Sequence, residues 1–193
     1  MPKVSVVGTT SWGLTLGIIL ARKGLKVSLL ARTEKEAVDL QKTGLRSSGF
    51  PVNEISSTLS VTHDPHEMLA DSKAVILAVP SQTLRQNVRF IKQYLSKSVL
   101  VASAAKGIET GTRLRMSQVL AEEIPPALHA NMCVISGPNL SREILLGLPA
   151  ATVVASQDPE SSRALQKRTK STCQWYLGSA GNWATDGVAV HTR

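Results

Sequence analysis

The sequence predicts a doubly wound α/β fold, in which helices cover both faces of a mainly parallel sheet. Short apolar runs rich in β-branched residues alternate along the chain with segments whose apolar residues follow helical spacing. Several of these runs are continuous, as is typical of strands that are buried on both faces. Because such strands are joined through helices, the alternation indicates right-handed crossovers between parallel strands.

Seven apolar runs are predicted to form the strands of this sheet. In chain order they are Val4–Val7, Val27–Leu30, Leu59–Thr62, Ala74–Val79, Val99–Ser103, Met132–Ile135 and Thr152–Ala155. Between them, Leu84, Val88 and Ile91 follow helical spacing, so one face of that helix is predicted to be buried. Gly24 and Gly44 stand where two other helices are expected to end.

One helix start carries three signals together. Asp64 offers an N-cap, Pro65 follows it at the first helical position, and Glu67 stands where a capping-box glutamate belongs. A short helix is therefore predicted directly after the third strand.

Length and composition predict one soluble domain followed by a tail. The chain has 193 residues, 42% apolar and 19% charged, which is ordinary for a globular protein. We predict a folded domain over residues 1–160. Over residues 161–193 a short helical pattern runs to about Lys170 and is then lost, so this stretch is predicted to be irregular. One hypothesis is that it is the remnant of a shifted reading frame.

Charge and cysteine content exclude several classes of partner. The net charge of +8 is spread along the chain, not clustered in an aromatic-studded patch, which disfavours nucleic-acid binding. The apolar runs are too short to span a bilayer, and no secretory leader is visible. Cys133 and Cys173 lack metal-ligand spacing, and Cys133 falls in a predicted buried strand, so we expect no metal site and a reducing cytoplasm.

A glycine-containing loop between the first strand and the first helix predicts a dinucleotide site. Gly8 is placed to make the turn and Gly13 to let helix and strand pack closely, with free N–H groups facing a pyrophosphate. The second glycine of the fingerprint is replaced by Thr10, whose side chain is expected to crowd the pyrophosphate. The alternative is an ordinary glycine-rich turn.

The end of the second strand favours NADPH over NADH. Folds that bind NAD place an Asp or Glu there to hold the ribose hydroxyls, whereas this sequence has Arg32. A guanidinium group would make a charge-assisted contact with a 2′-phosphate. The alternative is a solvated surface arginine, in which case NAD(H) is also a possible cofactor.

Polar or glycine-bearing segments follow three further strands. Because ligands in open α/β sheets lie outside the carboxyl ends of the strands, these segments are expected to face a common site. Lys106 could place a positive charge over a phosphorylated substrate, and Gly137 could expose a backbone N–H. Singly, each also fits a plain loop.

Over residues 3–160 the chain resembles the bacterial-type NAD(P)-dependent glycerol-3-phosphate dehydrogenases. Four segments carry the resemblance, in the right order and at the right strand ends: Gly8–Gly13, Ala78–Gln82, Lys106–Glu109 and Ser136–Asn139. It implies a Rossmann-type domain and reversible hydride transfer between nicotinamide C4 and C2 of glycerol 3-phosphate, which interconverts it with dihydroxyacetone phosphate for phospholipid synthesis. A homodimer is compatible with a full-length relative.

The resemblance also implies roles for single residues. Ser11, Trp12 and Arg32 would bind the cofactor, and Ser141 would lie near the nicotinamide. Lys106 would contact both cofactor and substrate. The substrate would further be held by Gly137 and Asn139.

Two departures from the family limit this reading. The family's second, helical domain carries a Leu-Lys-Asn motif whose lysine is the general base; nothing in this sequence matches it, so the catalytic lysine and the second domain are expected to be missing. The segment Leu45–Pro51 also departs from the family pattern. A non-catalytic dinucleotide-binding module or relic is therefore one alternative. Another two-domain reductase, such as a ketopantoate reductase or a sugar-nucleotide dehydrogenase, is a second.

Overall fold

The computed structural model describes residues 2–43, 58–169 and 175–177. The described strands are β1 Lys3–Val7, β2 Lys26–Leu30, β3 Leu59–Thr62, β4 Ser72–Leu77, β5 Leu100–Ser103, β6 Met132–Ser136, β7 Thr152–Ala155 and β8 Trp175–Leu177. The described α-helices are α1 Ser11–Arg22, α2 Glu34–Thr43, α3 Pro65–Leu69, α4 Leu84–Ile91, α5 Met116–Glu123, α6 Ser141–Leu145 and α7 Pro159–Thr169.

All the described strands belong to one sheet in the order β3-β2-β1-β4-β5-β6-β7-β8. Every neighbouring pair is parallel except β6 and β7, which run antiparallel. The chain therefore passes from β3 at one edge to β4 on the far side of β1. The predicted doubly wound, mainly parallel α/β fold is confirmed, with the switch in strand order between β1 and β4.

Two apolar cores lie against the sheet, one on each face. One core contains the buried side of α1, represented by Leu14, Leu16 and Leu20, together with residues of α6 and α7. The other contains α3, α4 and α5, and there Leu84, Val88 and Ile91 of α4 are fully buried, as their spacing predicts. Burial of apolar surface on both faces stabilises the sheet and explains the continuous apolar strands.

Helix ends follow the predicted signals with one difference. Gly24 follows α1 with φ of +82°, as predicted for a helix stop, while Gly44 lies outside the described residues. Asp64 caps α3 by accepting the His66 N–H at 2.9 Å. The capping-box prediction for Glu67 is wrong. Its carboxylate accepts the Thr62 hydroxyl at 2.6 Å and not the backbone N–H of the N-cap residue Asp64.

The final described helix runs across residue 160. Helix α7 spans Pro159–Thr169, and its Leu165 and Thr169 are fully buried, so the folded unit includes this helix. Within the stretch predicted to be irregular, β8 pairs in parallel with β7. The rest of that stretch and the Leu45–Pro51 segment lie outside the described residues.

Candidate functional site

The candidate site lies at the carboxyl ends of the central strands, around the switch between β1 and β4. At such a point the connections that follow the two strands lead to opposite faces of the sheet. A crevice opens between them, outside the carboxyl ends of the strands, and open α/β folds bind their ligands there. The glycine loop follows β1, and the segments that contain Gln82, Lys106 and Gly137 follow β4, β5 and β6. These four predicted ligand-binding segments thus lie at the same end of the sheet.

Both predicted loop glycines are required by close backbone contacts. Gly8 has φ of +106°, and an added Cβ there would lie 2.9 Å from the Ala78 carbonyl oxygen. An added Cβ at Gly13 would lie 2.1 Å from the Gly8 carbonyl oxygen. A side chain at either position would displace the main chain. The loop therefore brings the start of α1 as close to β1 as the dinucleotide fingerprint demands.

Thr10 caps α1 and also bridges the crevice. Its backbone is extended, with φ of −64° and ψ of 166°, so this position does not need a glycine conformation. The Thr10 hydroxyl donates to the Ala78 carbonyl oxygen at 3.0 Å and accepts the Gly13 N–H at 3.5 Å. The hydroxyl is thus directed at the protein, and it ties the loop after β1 to the end of β4.

Ser11 and Trp12 form the first turn of α1. The first N–H groups of a helix have no acceptor within the helix, so this turn presents donors and the positive end of the helix dipole to the crevice. Ser11 is exposed, and Trp12 is half-buried with its ring packed against the core below. The turn is therefore accessible at Ser11 and held in place by the packing of Trp12.

Arg32 follows β2 and projects into solvent. Its side chain is 87% exposed, and its Nε lies 3.9 Å from a Glu36 carboxylate oxygen. Its guanidinium is therefore largely solvated at this strand end.

Lys106 and Gly137 meet across the ends of β5 and β6. The Lys106 Nζ donates to the Gly137 carbonyl oxygen at 3.2 Å. Partial burial lowers the pKa of Lys106, because desolvation disfavours the ammonium form. The sequence placed these two residues at one site, and the structure brings them into contact.

The loop after β6 is fixed by polar contacts within the fold. Gly137 has φ of +148°, and an added Cβ would lie 2.4 Å from the Ala151 carbonyl oxygen. Asn139 is buried, and its Oδ1 accepts the Thr152 hydroxyl at 2.8 Å, which orients the amide. Ser141 is half-buried and is the first residue of α6.

Sequence reasoning named Gln82 and Glu109 within two motifs but gave them no role, and it did not single out Arg85. Gln82 donates to the Ile108 carbonyl oxygen at 2.7 Å and accepts the Thr110 N–H at 3.0 Å. Arg85 of α4 binds both carboxylate oxygens of Glu109, at 2.9 and 2.8 Å. The segment after β4 thereby clamps the loop after β5 on both sides of Glu109.

The clamp continues into a cluster of ion pairs between α4 and α5. Arg85 also contacts Glu123 at 2.7 Å, and Arg89 contacts the same carboxylate at 2.8 Å. Hydrogen bonds from Arg85 and Thr112 lower the pKa of Glu109 to about 2, and hydrogen bonds from Arg89 and Arg85 lower that of Glu123 to about 2 against the penalty of burial. The only sequence signal was the spacing of Arg85 and Arg89, which places them on one face of a helix.

The described residues contain neither a membrane-spanning helix nor a cluster of metal-ligating side chains. None of the helices in residues 2–43 and 58–169 is long and apolar enough to cross a membrane. No group of three or more His, Cys, Asp or Glu side chains in those ranges is arranged to hold a metal ion. Cys133 is buried, and desolvation raises the pKa of its thiol to about 12.

Comparison with known proteins identifies the family. Residues 3–162 match the family described as NAD-dependent glycerol-3-phosphate dehydrogenase N-terminus. A curated glycerol-3-phosphate dehydrogenase [NAD(P)+] from Dehalococcoides mccartyi is 48% identical over 168 residues, 86% of this chain and 47% of that protein. One from Corynebacterium glutamicum is 40% identical over 166 residues, 86% of this chain and 50% of that protein.

The solved structures agree with the sequence comparison. The crystal structure of glycerol-3-phosphate dehydrogenase from Coxiella burnetii superposes with a TM-score of 0.81 at 27% identity, and covers 92% of this chain and 54% of that one. This chain spans about half the length of the curated relatives it matches. The family match covers most of the chain and includes the loop after β1 and the segments after β4, β5 and β6. The chain therefore belongs to the NAD-dependent glycerol-3-phosphate dehydrogenase N-terminal family.

Proposed function

We propose that this chain is the cofactor-binding part of an NAD(P)-dependent glycerol-3-phosphate dehydrogenase. The reaction is reversible hydride transfer between NAD(P)H and dihydroxyacetone phosphate, giving glycerol 3-phosphate for phospholipid synthesis in the cytoplasm. The observation that carries the proposal is the tight loop from Gly8 to Gly13, which opens α1 at the switch in strand order. Family membership supports the same reaction class.

The loop after β1 fits a dinucleotide by its shape and its donors. Gly8, Thr10 and Gly13 fix the turn, and the first turn of α1 at Ser11 and Trp12 offers N–H groups to the pyrophosphate. When bound, the dinucleotide supplies the hydride. The chain itself binds and orients the cofactor.

NADPH is the preferred cofactor in this proposal, with NADH as the second. The exposed Arg32 guanidinium follows β2, next to the loop that receives the pyrophosphate, and can pair with a 2′-phosphate. An NADH-specific site would present a carboxylate at that strand end.

The substrate end of the site lies at β5 and β6. Lys106 contacts cofactor and substrate through its ammonium group, which can neutralise a phosphate or stabilise negative charge on the C2 oxygen. Gly137 and Asn139 hold glycerol 3-phosphate or dihydroxyacetone phosphate, and Ser141 lies near the nicotinamide. The contact of Lys106 with Gly137 supports this grouping.

We propose that this chain by itself has negligible turnover. The general-base lysine of the family belongs to a Leu-Lys-Asn motif, which has no match in this sequence. Losing a positioned base costs about 10²- to 10⁴-fold in rate, and losing substrate positioning costs more. Reduction of dihydroxyacetone phosphate well above a no-enzyme control would contradict this.

The binding proposal is tested by fluorescence titration of NADPH and NADH. We expect the natural chain to bind both and to prefer NADPH, and Arg32→Met to lose about tenfold in NADPH affinity with little change for NADH. Thr10→Gly loses the hydrogen bonds of the Thr10 hydroxyl to Ala78 and Gly13 but also removes the branched side chain beside the loop backbone, and we expect it to bind NADPH more tightly because the pyrophosphate can approach more closely. If no reduced nucleotide binds at any workable concentration, the proposal is wrong.

A non-catalytic dinucleotide-binding module is the second candidate. The threonine that replaces the second glycine of the loop favours it. A binding-competent chain that stays inactive when an intact second domain from a relative is fused to it would support this candidate. Recovery of dihydroxyacetone phosphate reduction in that fusion would support the dehydrogenase.

A further inference from the structure

We propose that Glu36 of α2 reads the 2′ position of the adenosine ribose and opposes Arg32 in the choice between NADH and NADPH. This inference rests on the proposed cofactor binding. It concerns a residue that the sequence motifs do not single out, because Glu36 lies in the second helix and not at the end of β2.

The Glu36 carboxylate joins the two loops that flank the adenosine end of the site. Its Oε1 accepts the Thr9 hydroxyl at 2.5 Å, in the loop after β1. Its Oε2 accepts the Arg32 backbone N–H at 2.9 Å, directly after β2. Because β1 and β2 are paired neighbours, the carboxylate lies between the carboxyl ends of both strands.

A ribose-binding acid in NAD-dependent folds of this class also lies beside the glycine loop, at the end of the second strand. There, an Asp or Glu at the end of the second strand accepts hydrogen bonds from the ribose hydroxyls beside the glycine loop. Here the strand end holds Arg32, and the carboxylate arrives from the first turn of the following helix. The ribose contact expected from an acid at the strand end thus falls to Glu36, while the strand end itself carries the positive charge of Arg32.

Glu36 is well oriented for this role and still accessible. Its own N–H donates to the Thr33 hydroxyl at 3.1 Å, which fixes the start of α2. Its side chain is 28% exposed, so part of the carboxylate edge faces solvent. A carboxylate has about four lone-pair positions, and two accepted bonds leave capacity for a ribose hydroxyl.

The two charges have opposite effects on the two cofactors. A 2′-hydroxyl can donate to the Glu36 carboxylate, whereas a 2′-phosphate beside it meets like-charge repulsion. Arg32 attracts the phosphate, but its guanidinium also lies 3.9 Å from Glu36. Glu36 therefore weakens NADPH binding and supports NADH binding, so the chain accepts both nucleotides.

The experiment compares Glu36→Gln with Glu34→Gln in titrations of NADPH and NADH. Glutamine keeps an oxygen for the Arg32 N–H but removes the charge. Glu34 is the matched control, because it lies two residues away on α2 and its replacement changes net charge equally. We expect the ratio of the NADH to the NADPH dissociation constant to rise about fivefold or more in Glu36→Gln, and less than twofold in Glu34→Gln.

A second readout isolates the ribose position. Displacement of bound NADH by adenosine 2′,5′-bisphosphate and by 5′-AMP, which differ only in the 2′-phosphate, is measured on the same proteins, after thermal unfolding has shown that each is folded. Glu36→Gln is expected to strengthen the binding of adenosine 2′,5′-bisphosphate but not that of 5′-AMP. Parallel changes for both probes, or a Glu36→Gln ratio equal to that of Glu34→Gln, would overturn the role of Glu36 alone. If the natural chain binds no nucleotide, cofactor binding fails and this inference fails with it.

Discussion

The two ends of the candidate site are built in different ways. At the ends of β1 and β2 the geometry comes from main-chain approach, with Gly8 and Gly13 in contacts that admit no side chain. At the ends of β4 to β6 it comes from side chains, with Gln82 and Arg85 holding the loop that carries Lys106. The end at β1 and β2 is therefore sensitive to added volume, and the end at β4 to β6 is sensitive to lost charge.

The largest expected effect tests the main-chain end. Gly13→Ala places a Cβ 2.1 Å from the Gly8 carbonyl oxygen, so loop and helix must separate. We expect a loss of at least about 3 kcal/mol in the free energy of unfolding, measured by urea denaturation. Gly111→Ala is the control, because no atom lies within 4 Å of its added Cβ and stability should stay nearly unchanged. Equal stability of both variants would show that the close approach is not limiting.

The next effect tests the side-chain end. Arg85→Met removes the main partner of Glu109 and one of the two arginines that hold the buried Glu123 carboxylate. We expect a loss of about 2 kcal/mol in the free energy of unfolding. Arg163→Met removes an exposed ion pair to Glu160 and should cost less than about 0.5 kcal/mol. Similar losses in the two variants would mean that the cluster acts as an ordinary surface ion pair.

Acid should weaken the same cluster. Glu109 and Glu123 have folded-state pKa values of about 2, below the ordinary value of 4.5. Their contribution is thus complete above pH 4.5 and is lost as the pH falls from there towards 2. We expect the free energy of unfolding to fall over this range in the natural chain, and less steeply in Arg85→Met. Parallel pH profiles would contradict the assignment.

The smallest expected effect tests whether Gln82 orders the Lys106 loop without contributing much to the overall stability. Gln82→Ala removes two hydrogen bonds to the Lys106 loop but exposes their partners to water, so the free energy of unfolding should fall by about 1 kcal/mol or less. Amide hydrogen exchange should nevertheless speed up at Thr110, whose N–H loses its acceptor. Unchanged exchange there would show that Arg85 alone holds the loop.

The sequence predicted most of the fold, because apolar periodicity depends on neighbours along the chain. All seven predicted strands are present, and Asp64 caps α3 as expected. It did not predict the antiparallel direction of β7, since an apolar run contains no information about strand direction. It also misassigned the Glu67 carboxylate, which binds a hydroxyl just upstream of the helix instead of the N-cap backbone.

The candidate site was only partly predictable, because some of its contacts are local in the sequence and others join distant residues. Gly13 follows from a local motif, and its close contact is confirmed. The partners of Arg85 lie 24 and 38 residues away, so no local pattern joins them. The direction of the Thr10 hydroxyl depends on Ala78, which directly follows β4 and is 68 residues away in the sequence. Long-range contacts of this kind need the folded chain.

The hydrogen bond from Lys106 to the Gly137 carbonyl should also affect the rate at which an anion binds. A free lysine has many rotamers, and ordering its four-carbon chain costs up to about 2 kcal/mol of entropy. Here the fold itself orders the ammonium group, so an arriving phosphate would meet a charge already in place. Capture of a dianion at such a preorganised charge should be fast, and its association rate should fall as ionic strength rises.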